Sequence, residues 1–340
     1  MKRLKLGLIG AGRIGKLHAE NVVYHVPEAE LLGVADVSIE AAREIATRLR
    51  IPKFTQDYQE LLVDPHIDAI LVCTSTDTHA EIVCAAAEAQ KHIFCEKPLA
   101  LDLRQIEEIL SAVDKTGVIL QVGFHRRFDP SFQHLKRRLE QGDIGRPWLL
   151  KITSFDPVPP PLSYIRISGG IFLDMTIHDF DMARYLMGEV EEVYAAGAAL
   201  VDPEIGATGD VDTAVVFLRF KTGALGVITN CRQAVYGHDQ RIEVLGEKGG
   251  LFVENPKPHT VCLADAQGYR SASLYYFFVE RYRDAYIAEM RAFVEAVQEG
   301  KRPLVTGWDG KVAVVIGYAA KKSMEERRPV LIKEIDPSLD

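Results

Sequence analysis

The sequence lacks several features that mark membrane, secreted and disulfide-rich proteins. No apolar run approaches the roughly 20 residues that a membrane-spanning helix needs. The opening segment, MKRLKLGLIG, meets glycines too early for the apolar core of a secretion signal. The cysteines are odd in number and include no CxxC pair: Cys73, Cys84, Cys95, Cys231 and Cys262. Their spacing predicts reduced core thiols in a cytoplasmic protein without a metal site.

The sequence also has fewer basic residues than acidic ones. Acidic residues number 48 against 40 basic ones, which gives a formal charge of -8. This balance argues against a general binder of nucleic acid and against recruitment to an anionic membrane. A chain of 340 residues, at about 150 residues per domain, is expected to form two domains with separate cores.

Short apolar runs alternate with amphipathic patterns over the first third of the chain. KLGLIG, LLGVAD, AILVCTS and HIFCEKP have the nearly continuous apolar character of strands that are buried on both faces. GKLHAENVVYHV and LRQIEEILSAVDKTG have helical spacing. This alternation predicts a doubly wound α/β domain with a parallel sheet over residues 1–122.

The pattern changes near residue 123. Strand-like runs such as DTAVVFLRF, ALGVITNCRQAVY and QRIEVLGEKGGLFVEN follow one another through short turns, which is typical of antiparallel pairing. Two helical stretches, YRDAYIAEMRAFVEAVQEG and GWDGKVAVVIGYAAKKSMEERR, close the chain. Residues 123–340 are therefore predicted to form an α+β domain with a mostly antiparallel sheet.

The first chemical motif is the glycine pattern in GLIGAGRIG. Gly10, Gly12 and Gly15 fit G-x-G-x-x-G between a predicted strand and a predicted helix, the context that a dinucleotide site requires. The glycines permit a tight turn, a close approach of backbone to pyrophosphate, and close helix packing. Arg13 and Ile14 lie inside the motif and join the predicted cofactor site at the helix N-terminus. An ordinary glycine turn is the alternative.

Asp36 supplies the expected partner of these glycines. It ends the strand LLGVAD, about 20 residues beyond the motif, where a carboxylate accepts both hydroxyls of the adenosine ribose. A 2′-phosphate would meet a like charge there, and Val37 and Ser38 follow in place of an arginine. NAD is therefore predicted in preference to NADP. Asp36 could instead cap a helix, but Ser38 can fill that position.

The loop CTSTDTHAEI follows the next predicted strand. Its hydroxyl groups suit a helix cap, and its place at the carboxyl edge of the sheet also directs it toward the ligand crevice. The predicted cofactor contacts in this loop are Thr74, Ser75, Thr76 and His79.

The segment IFCEKPLA places Glu96 and Lys97 directly before Pro98. Because proline denies the chain a regular continuation, the lysine is expected to project over the crevice beside the nicotinamide. Glu96 and Lys97 are therefore included in the predicted cofactor site. A solvated Glu-Lys pair on the surface is the alternative that this dipeptide alone would favour.

The segment GGIFLDMTIHDFDMARYL sets acidic residues and a histidine in an apolar helical pattern. If residues 174–187 form a helix, Asp174 and His178 are four apart and share one face. The two glycines at the start allow the backbone to approach something bulky. Taken singly, Asp174 could be an N-cap, His178 a buried histidine, and Asp179 and Asp181 charges that complement the helix dipole.

Together with Lys97, this cluster suits the oxidation of a secondary alcohol. One group must remove the hydroxyl proton while hydride leaves the same carbon for nicotinamide, and a neutral imidazole titrates near the working pH. His178 is the predicted base. Asp174 would hold substrate hydroxyls or orient the cluster, and Lys97 would donate to the reacting oxygen and stabilise developing negative charge.

Three motifs, GAGRIG, CEKP and SGGIFLDMTIHDFD, together resemble the Gfo/Idh/MocA oxidoreductase family. GGIFLDMTIHDFDMARYLMG and AVYGHDQRIEVLG resemble its inositol 2-dehydrogenase branch. The likeness implies an N-terminal Rossmann domain, a C-terminal domain with a large open sheet often used in oligomer contacts, and a homotetramer. It also implies catalysis by a lysine, an aspartate and a histidine, roles that fall on Lys97, Asp174 and His178.

The same resemblance adds substrate contacts. In the inositol branch an arginine of the GFHRRFDP segment and a tyrosine of AVYGHDQR approach the polyol, which implies Arg127 and Tyr236 here. Arg127 could instead pair with an acidic neighbour. The loop SFDPVPPPLSYI is expected to wall the pocket, with Asp156 and Tyr164 within reach of hydroxyls, or to be only a stiff surface connection.

The residues and the resemblance together predict an NAD-dependent dehydrogenase that oxidises a secondary hydroxyl of a cyclic polyol to a ketone. myo-Inositol and 2-keto-myo-inositol are the expected substrate and product. scyllo-Inositol, a pyranose sugar and an anhydrosugar are alternative substrates for the same chemistry. A non-catalytic dinucleotide-binding sensor is the alternative of another class, and the presence of Lys97, Asp174 and His178 argues against it.

Overall fold

The chain forms two compact units in the computed structural model, which describes residues 3–339. The first unit extends to Phe128 and includes Asp284–Val312, and the second comprises Asp129–Arg283 and the chain from Ala313 onward. The sequence assigned everything after residue 122 to the second domain. Asp284–Val312 groups instead with the first unit because the helix within it contributes apolar side chains to that unit's core.

Six parallel strands form the sheet of the first unit. They are β1 (Leu4–Ile9), β2 (Ala29–Ala35), β3 (Lys53–Thr55), β4 (Ala69–Val72), β5 (His92–Cys95) and β6 (Leu120–Val122). The sheet order is β3-β2-β1-β4-β5-β6, and the adjacent strands pair in parallel. This is the strand order of a Rossmann fold, whose ligands bind at the carboxyl ends where the order reverses, between β1 and β4. The prediction of a doubly wound α/β domain is confirmed.

Helices connect these strands and contribute to the core. They are α1 (Arg13–His25), α2 (Ile39–Leu49), α3 (Gln59–Leu62), α4 (His79–Glu88) and α5 (Leu103–Thr116). Short 3-10 turns occupy Thr76–Thr78 and His125–Phe128. The core holds side chains from strands and helices, including Leu8, Phe94 and Phe293, and burial of this apolar surface is the main force that holds the unit together.

Seven strands form the main sheet of the second unit. They are β7 (Pro147–Phe155), β8 (Val190–Ala198), β9 (Thr213–Phe220), β10 (Leu225–Cys231), β11 (Asp239–Gly246), β12 (Gly249–Val253) and β15 (Val330–Leu331). The order is β12-β11-β7-β10-β9-β8-β15. A separate hairpin joins β13 (Cys262–Asp265) and β14 (Gly268–Ser271).

This sheet is mixed, which corrects the prediction of a mostly antiparallel sheet. β7 and β10 pair in parallel, with Ile152 opposite Ile228, while the other adjacent pairs within the described residues are antiparallel. The sequence could not show the parallel pair because β8 and β9 lie between its two strands along the chain. Short turns report only the direction of consecutive strands.

The remaining helices are α6 (Pro130–Glu140), α7 (Leu162–Ile165), α8 (Ile171–Asp174), α9 (Ile177–Met187), α10 (Pro203–Ala207), α11 (Phe278–Arg281), α12 (Arg283–Glu299) and α13 (Gly307–Glu326). The two closing helices, α12 and α13, agree with the predicted helical stretches. α9 packs against β7 in the second unit, whose buried face carries Leu150 and Ile152. This contact ties the segment that holds His178 to the sheet.

The continuous helix predicted over residues 174–187 is interrupted. α8 ends at Asp174 and α9 begins at Ile177. At the break, the N–H of Thr176 donates to Ile171 O at 2.9 Å, five residues back, and its hydroxyl donates to Asn230 Oδ1 on β10 at 2.8 Å. The five-residue backbone bond replaces the regular helical bond to the fourth residue back, so Asp174 and His178 lie on two short helices.

Across residues 3–339, no helix has both the length and the apolar character needed to cross a membrane. The same residues contain no group of three or more His, Cys, Asp or Glu side chains arranged to hold a metal ion. The cysteines are free thiols, and burial raises the pKa of Cys73 and Cys95. Cys262 is exposed, so the prediction of core thiols is wrong for this residue because its hairpin lies on the surface.

Phe293→Ala tests whether α12 belongs to the core of the first unit. The ring is fully buried, and its centroid lies 5.9 Å from that of Phe94. Removing it should lower the free energy of unfolding by about 3–5 kcal/mol, as measured by urea denaturation. Tyr24→Ala is the control, because Tyr24 lies on α1 of the same unit and is 63% exposed; its change should stay within about 0.5 kcal/mol. Equal losses in the two variants would contradict the core position of Phe293.

Candidate active site

The glycine motif forms the turn from β1 into α1. Gly10 has a φ of +100°, and a Cβ there would lie 2.5 Å from the carbonyl group of Cys73, so this position requires glycine. A Cβ on Gly15 would overlap the carbonyl oxygen of Gly10. Among the described residues other than its own chain neighbours, nothing lies within 4 Å of a Cβ built on Gly12. The backbone at Gly12 is therefore open to a bulky ligand, and Arg13 and Ile14 follow it as the first residues of α1.

A cavity of about 420 Å³ opens beside this turn. Its lining comes from the glycine turn, the end of β2 and the loop after β4, and includes Gly10, Gly12, Asp36, Thr74 and Ser75. Asp36 Oδ2 accepts a hydrogen bond from the Ala11 N–H at 2.6 Å, and Oδ1 accepts one from the Ser38 N–H at 2.8 Å. These bonds fix the carboxylate at the mouth of the cavity.

The residues around this cavity fit NAD. An open backbone at a helix N-terminus suits the pyrophosphate, and a fixed carboxylate at the end of β2 suits the adenosine ribose. Ser38 caps α2, since its side chain accepts a hydrogen bond from the Ala41 N–H. The N-cap role that the sequence left open for Asp36 is therefore filled by Ser38, as predicted.

The hydroxyl groups after β4 do not cap the helix that follows. In the described chain, neither Ser75, before the 3-10 turn, nor Thr78, before α4, makes a side-chain capping bond. Thr78 Oγ1 is instead hydrogen-bonded to Thr74 Oγ1 at 2.7 Å. The capping interpretation of this loop is therefore wrong for these residues, and Thr74, Ser75 and Thr78 all line the cavity. Thr76, the fourth predicted contact here, begins the 3-10 turn.

His79 is buried between two backbone carbonyl groups. Nδ1 lies 2.9 Å from Pro98 O, and Nε2 lies 3.2 Å from Thr74 O. Burial lowers the pKa of this imidazole, although both backbone contacts oppose the shift. A neutral ring has one N–H and donates to only one of these carbonyl groups, so His79 lies between the loop after β4 and the segment that carries Lys97 without bonding to both. Its predicted contact with the cofactor stays a prediction.

Glu96, the residue before Lys97, contacts a buried histidine. Glu96 Oε1 lies 2.7 Å from His18 Nε2, and the His18 side chain is fully buried. Glu96 Oε2 accepts a hydrogen bond from the Lys97 N–H at 3.2 Å. Gly123 leaves room for this carboxylate, because a Cβ there would lie 3.0 Å from Oε2. The surface Glu-Lys alternative is therefore wrong for Glu96, while Lys97 itself is half-buried.

Arg127 pairs with an acidic side chain in the first unit. Its guanidinium is buried, and Nη2 donates to Asp309 Oδ1 at 3.1 Å. Nη1 donates to Leu304 O at 3.3 Å. The pairing that the sequence left open is therefore present, and the approach of Arg127 to a polyol stays a prediction.

Asp174 is held from both sides in the second unit. Its Oδ1 accepts a hydrogen bond from Tyr164 Oη at 2.8 Å, and its Oδ2 accepts one from Arg232 Nη1 at 3.1 Å. The Asp174 side chain is 11% exposed and that of Arg232 is 1% exposed. Thr176 occupies the N-cap of α9, so the N-cap interpretation of Asp174 is wrong.

A buried hydrogen-bond network fixes the helix that carries His178. Asn230 Nδ2 donates to Asp179 Oδ2 at 2.7 Å, which joins α9 to β10. Asp179 lies in the first turn of α9, as the dipole interpretation requires, but it is fully buried. Asp181 lies beyond that turn and is also buried, so the dipole interpretation is wrong for Asp181. His178, between the two buried positions Ile177 and Asp179, is itself half-buried.

Tyr236 is exposed, but a hydrogen bond fixes the orientation of its hydroxyl. Tyr236 Oη donates to Asp239 Oδ2 at 2.9 Å. Burial and this hydrogen bond raise the pKa of Tyr236. Burial would also raise the pKa of Asp239, but hydrogen bonds from Arg241, Tyr236 and Asn255 outweigh it and lower that pKa. The tyrosine thus remains a neutral hydroxyl beside an ionised carboxylate near neutral pH.

Asp156 follows β7 and faces a buried histidine. Its Oδ1 lies 3.1 Å from Nδ1 of His238, whose side chain is 3% exposed. Its backbone is also fixed, since the Ala234 N–H donates to Asp156 O at 2.6 Å. Asp156 and Tyr164, the two polar residues singled out in the proline-rich segment, thus both contact residues of the second unit. Their contact with a substrate stays a prediction.

Sequence reasoning missed the partners of these groups: His18, Asn230, Arg232 and His238. Two of them had a visible signal. Buried positions in β10 alternate with partly or fully exposed ones, and Asn230 and Arg232 continue the buried phase of Gly226 and Ile228. A polar residue in the buried phase of a strand needs a polar partner.

A Rossmann sheet, a glycine turn open to pyrophosphate and a fixed acidic residue at the end of β2 define a class: the protein is an NAD-binding oxidoreductase. The chain belongs to the Gfo/Idh/MocA oxidoreductase family. Residues 4–124 match its NAD-binding Rossmann domain, and residues 136–332 match its C-terminal alpha/beta domain.

Relatives match the chain over nearly its whole length. The myo-inositol 2-dehydrogenase of Thermotoga maritima is 56% identical over 333 residues, which cover 98% of this chain and 99% of the relative. The scyllo-inositol 2-dehydrogenase (NAD(+)) of Bacillus subtilis is 40% identical over 329 residues, or 96% of each chain. A crystal structure of a probable dehydrogenase from T. maritima superposes with a TM-score of 0.96 at 56% identity and covers 98% of this chain and 100% of that one.

Asp36→Asn tests the cofactor preference. The amide keeps the size of the side chain but removes the charge that would repel a 2′-phosphate. We expect weaker NAD binding and a ratio of NADP to NAD affinity that rises about tenfold or more, measured by titration of both cofactors. The wild-type ratio is the control. An unchanged ratio would show that Asp36 only supports the glycine turn.

Proposed function

We propose that the protein is an NAD-dependent inositol dehydrogenase that oxidises one secondary hydroxyl of a cyclic polyol to a ketone. myo-Inositol and 2-keto-myo-inositol are the proposed substrate and product. The observation that carries the substrate class is the whole-length likeness to the T. maritima myo-inositol 2-dehydrogenase. The second unit also has polar side chains whose orientation is fixed by neighbouring residues. They support a polyol substrate, because a polyol presents several hydroxyls that can form hydrogen bonds.

The proposed reaction needs three side chains, those of His178, Lys97 and Asp174. NAD, when bound, accepts the hydride that leaves the carbinol carbon. His178 takes the hydroxyl proton as neutral imidazole becomes imidazolium. Lys97 donates a hydrogen bond to the same oxygen and stabilises the negative charge that develops there before the carbonyl forms. Glu96 accepts a hydrogen bond from the Lys97 N–H and His79 contacts Pro98 O, so both support the backbone around Lys97.

Asp174 serves as a fixed acceptor in this proposal. Both of its oxygens already accept hydrogen bonds, one from Tyr164 and one from Arg232. A carboxylate oxygen can accept more than one hydrogen bond, so a substrate hydroxyl can still donate to it. Because hydrogen bonds from Tyr164 and Arg232 already fix both Asp174 oxygens, we assign substrate orientation to Asp174 and proton removal to His178.

Further hydroxyls would be held by Arg127, Asp156 and Tyr236. A site built to hydrogen-bond a hydroxyl rejects an analogue that lacks it by about 10⁴-fold or more. The stereochemistry of the polyol therefore depends on these contacts. scyllo-Inositol is the second candidate substrate, since a relative named for it also aligns over nearly the whole chain.

A polyol panel separates these candidates. Wild-type protein is mixed with NAD and, in turn, with myo-inositol, scyllo-inositol, glucose and an anhydrosugar, and the absorbance of reduced nicotinamide is followed. The proposal expects the highest kcat/KM with myo-inositol. A higher kcat/KM with another polyol would make that polyol the assigned substrate in place of myo-inositol. The absence of a signal with every polyol would favour a dinucleotide-binding sensor.

Lys97→Met and His178→Asn test the proposed chemistry. Each should lower kcat by at least about 100-fold, because each removes a group that acts on the reacting oxygen. NAD affinity, measured by fluorescence titration, should change by less than about threefold if the groups act in the transition state. His66→Asn, at an exposed position, should keep wild-type kcat. Unchanged turnover in either variant would remove that residue from the mechanism.

We also propose that the protein is a cytoplasmic homotetramer whose large sheet mediates subunit contacts. The outward face of the main sheet carries a row of paired positions that runs through Tyr194, Phe217 and Val227. Phe217 is 54% exposed, and its ring centroid lies 6.4 Å from that of Tyr194. Exposed apolar groups in such a row are typical of a surface that associates.

Phe217→Lys tests this assembly. A charged side chain in the middle of an apolar contact leaves an unpaired buried charge, which is strongly unfavourable. We expect the molar mass from light scattering to fall from four chains to one or two. Val63→Lys, at an exposed apolar position in the first unit, should leave the mass unchanged. A Phe217→Lys protein that keeps its full mass would show that the subunits meet elsewhere.

A further inference from the structure

We propose that Arg232, backed by Asp210, is a positioning residue that holds Asp174 in the orientation in which it accepts a substrate hydroxyl. This inference rests on the proposed function, because it assigns a role within the same reaction. Arg232 would touch neither the reacting carbon nor the cofactor, and would act through Asp174 alone.

The guanidinium of Arg232 lies between two carboxylates of the second unit. Nη1 donates to Asp174 Oδ2 at 3.1 Å, and Nη2 lies 3.7 Å from Asp210 Oδ2. The first distance is that of a hydrogen bond and the second is longer than one. Asp174 is therefore the bonded partner, and Asp210 acts as a nearby charge.

Both Arg232 and Asp210 are fixed independently of Asp174. The Arg232 N–H donates to Asp212 O at 2.8 Å, directly after β10. Asp210 Oδ1 accepts a hydrogen bond from the Ile171 N–H at 3.0 Å. Gly170 makes this approach possible, because its φ is +81° and a Cβ there would lie 2.8 Å from Asp210 Oδ1. The bulky group expected near the two glycines is thus the Asp210 carboxylate, at the start of the short helix that ends in Asp174.

Stability alone does not account for an arginine in this place. Arg232 is among the largest fully buried side chains, at 1% exposure. Burying a charge removes its hydration, and a buried ion pair is often no more stabilising than apolar residues of similar volume. The contribution of the pair is to fix the orientation of the Asp174 carboxylate. With Tyr164 on Oδ1 and Arg232 on Oδ2, the plane of the Asp174 carboxylate has little freedom to rotate.

A double-mutant cycle tests this role. The variants are Arg232→Met, Asp174→Asn and the two together, assayed for kcat/KM on the polyol that the wild-type enzyme oxidises best. Arg232→Met alone should lower kcat/KM by about 100-fold, the cost of a misplaced contact in the site. In the Asp174→Asn background the same change should cost less than about threefold, because the partner through which it acts has already lost its charge.

Two further variants make the result specific. Arg232→Lys keeps the charge but not the fork that can face two carboxylates, so it should recover part of the activity lost in Arg232→Met. Arg184→Met is the matched control, since Arg184 pairs with Glu189 in the same unit; it should show neither the 100-fold loss nor coupling to Asp174→Asn. If Arg232→Met does not fold, the cycle with Arg232→Lys decides.

Two outcomes would overturn the inference, and they differ. If Arg232→Met costs the same factor in both backgrounds, or costs nothing in wild type, Arg232 has only a structural role and the proposed function stands. If the wild-type protein oxidises no polyol in the panel, the proposed function fails first and the positioning role fails with it.

Discussion

A charge that is buried away from water must be paired, and this constraint organises the polar groups in both units. In the first unit, Glu96 is held by His18 and Arg127 by Asp309. In the second, Asp174 is held by Arg232. Each pair fixes the orientation of a side chain that sequence reasoning had picked out for cofactor or substrate. The pairs thus turn mobile polar groups into directed ones, which is what a preorganised site needs.

The same constraint explains where glycine is required. Gly123 and Gly170 both lie against a carboxylate oxygen, of Glu96 and of Asp210, at distances that a Cβ would make too close. Gly10 and Gly15 instead bring backbone against backbone in the turn after β1. These four glycines therefore fall into two groups. Gly10 and Gly15 shape a surface for a ligand, and Gly123 and Gly170 make room for a carboxylate at or near a candidate site residue.

The features predicted from the sequence are those that depend on near neighbours. Gly10, Gly12 and Asp36 belong to one strand-turn-helix-strand unit, so their spacing was enough to place them around one cavity. The break in the helix predicted over residues 174–187 lies at Thr176, whose hydroxyl bonds to Asn230, a residue from a distant strand that local periodicity does not include. The parallel pairing of β7 with β10 was missed for the same reason. Periodicity can show that a polar residue such as Arg232 is buried, but it does not show which distant residue is its partner, so the pairs of His18 with Glu96 and of Arg232 with Asp174 were missed.

The pairing also bears on how a polyol site could tell stereoisomers apart. myo-Inositol and scyllo-inositol differ only in the orientation of one hydroxyl. A polar side chain that rotates freely could form a hydrogen bond with that hydroxyl in either orientation and would not distinguish the isomers. Each proposed polyol contact of the second unit instead has its own fixed neighbour: Asp174 has Arg232, Tyr236 has Asp239 and Asp156 has His238. A group that is already oriented loses little entropy on binding. Discrimination between isomers would then come from the rigidity of these pairs as much as from the identity of the residues that touch the ring.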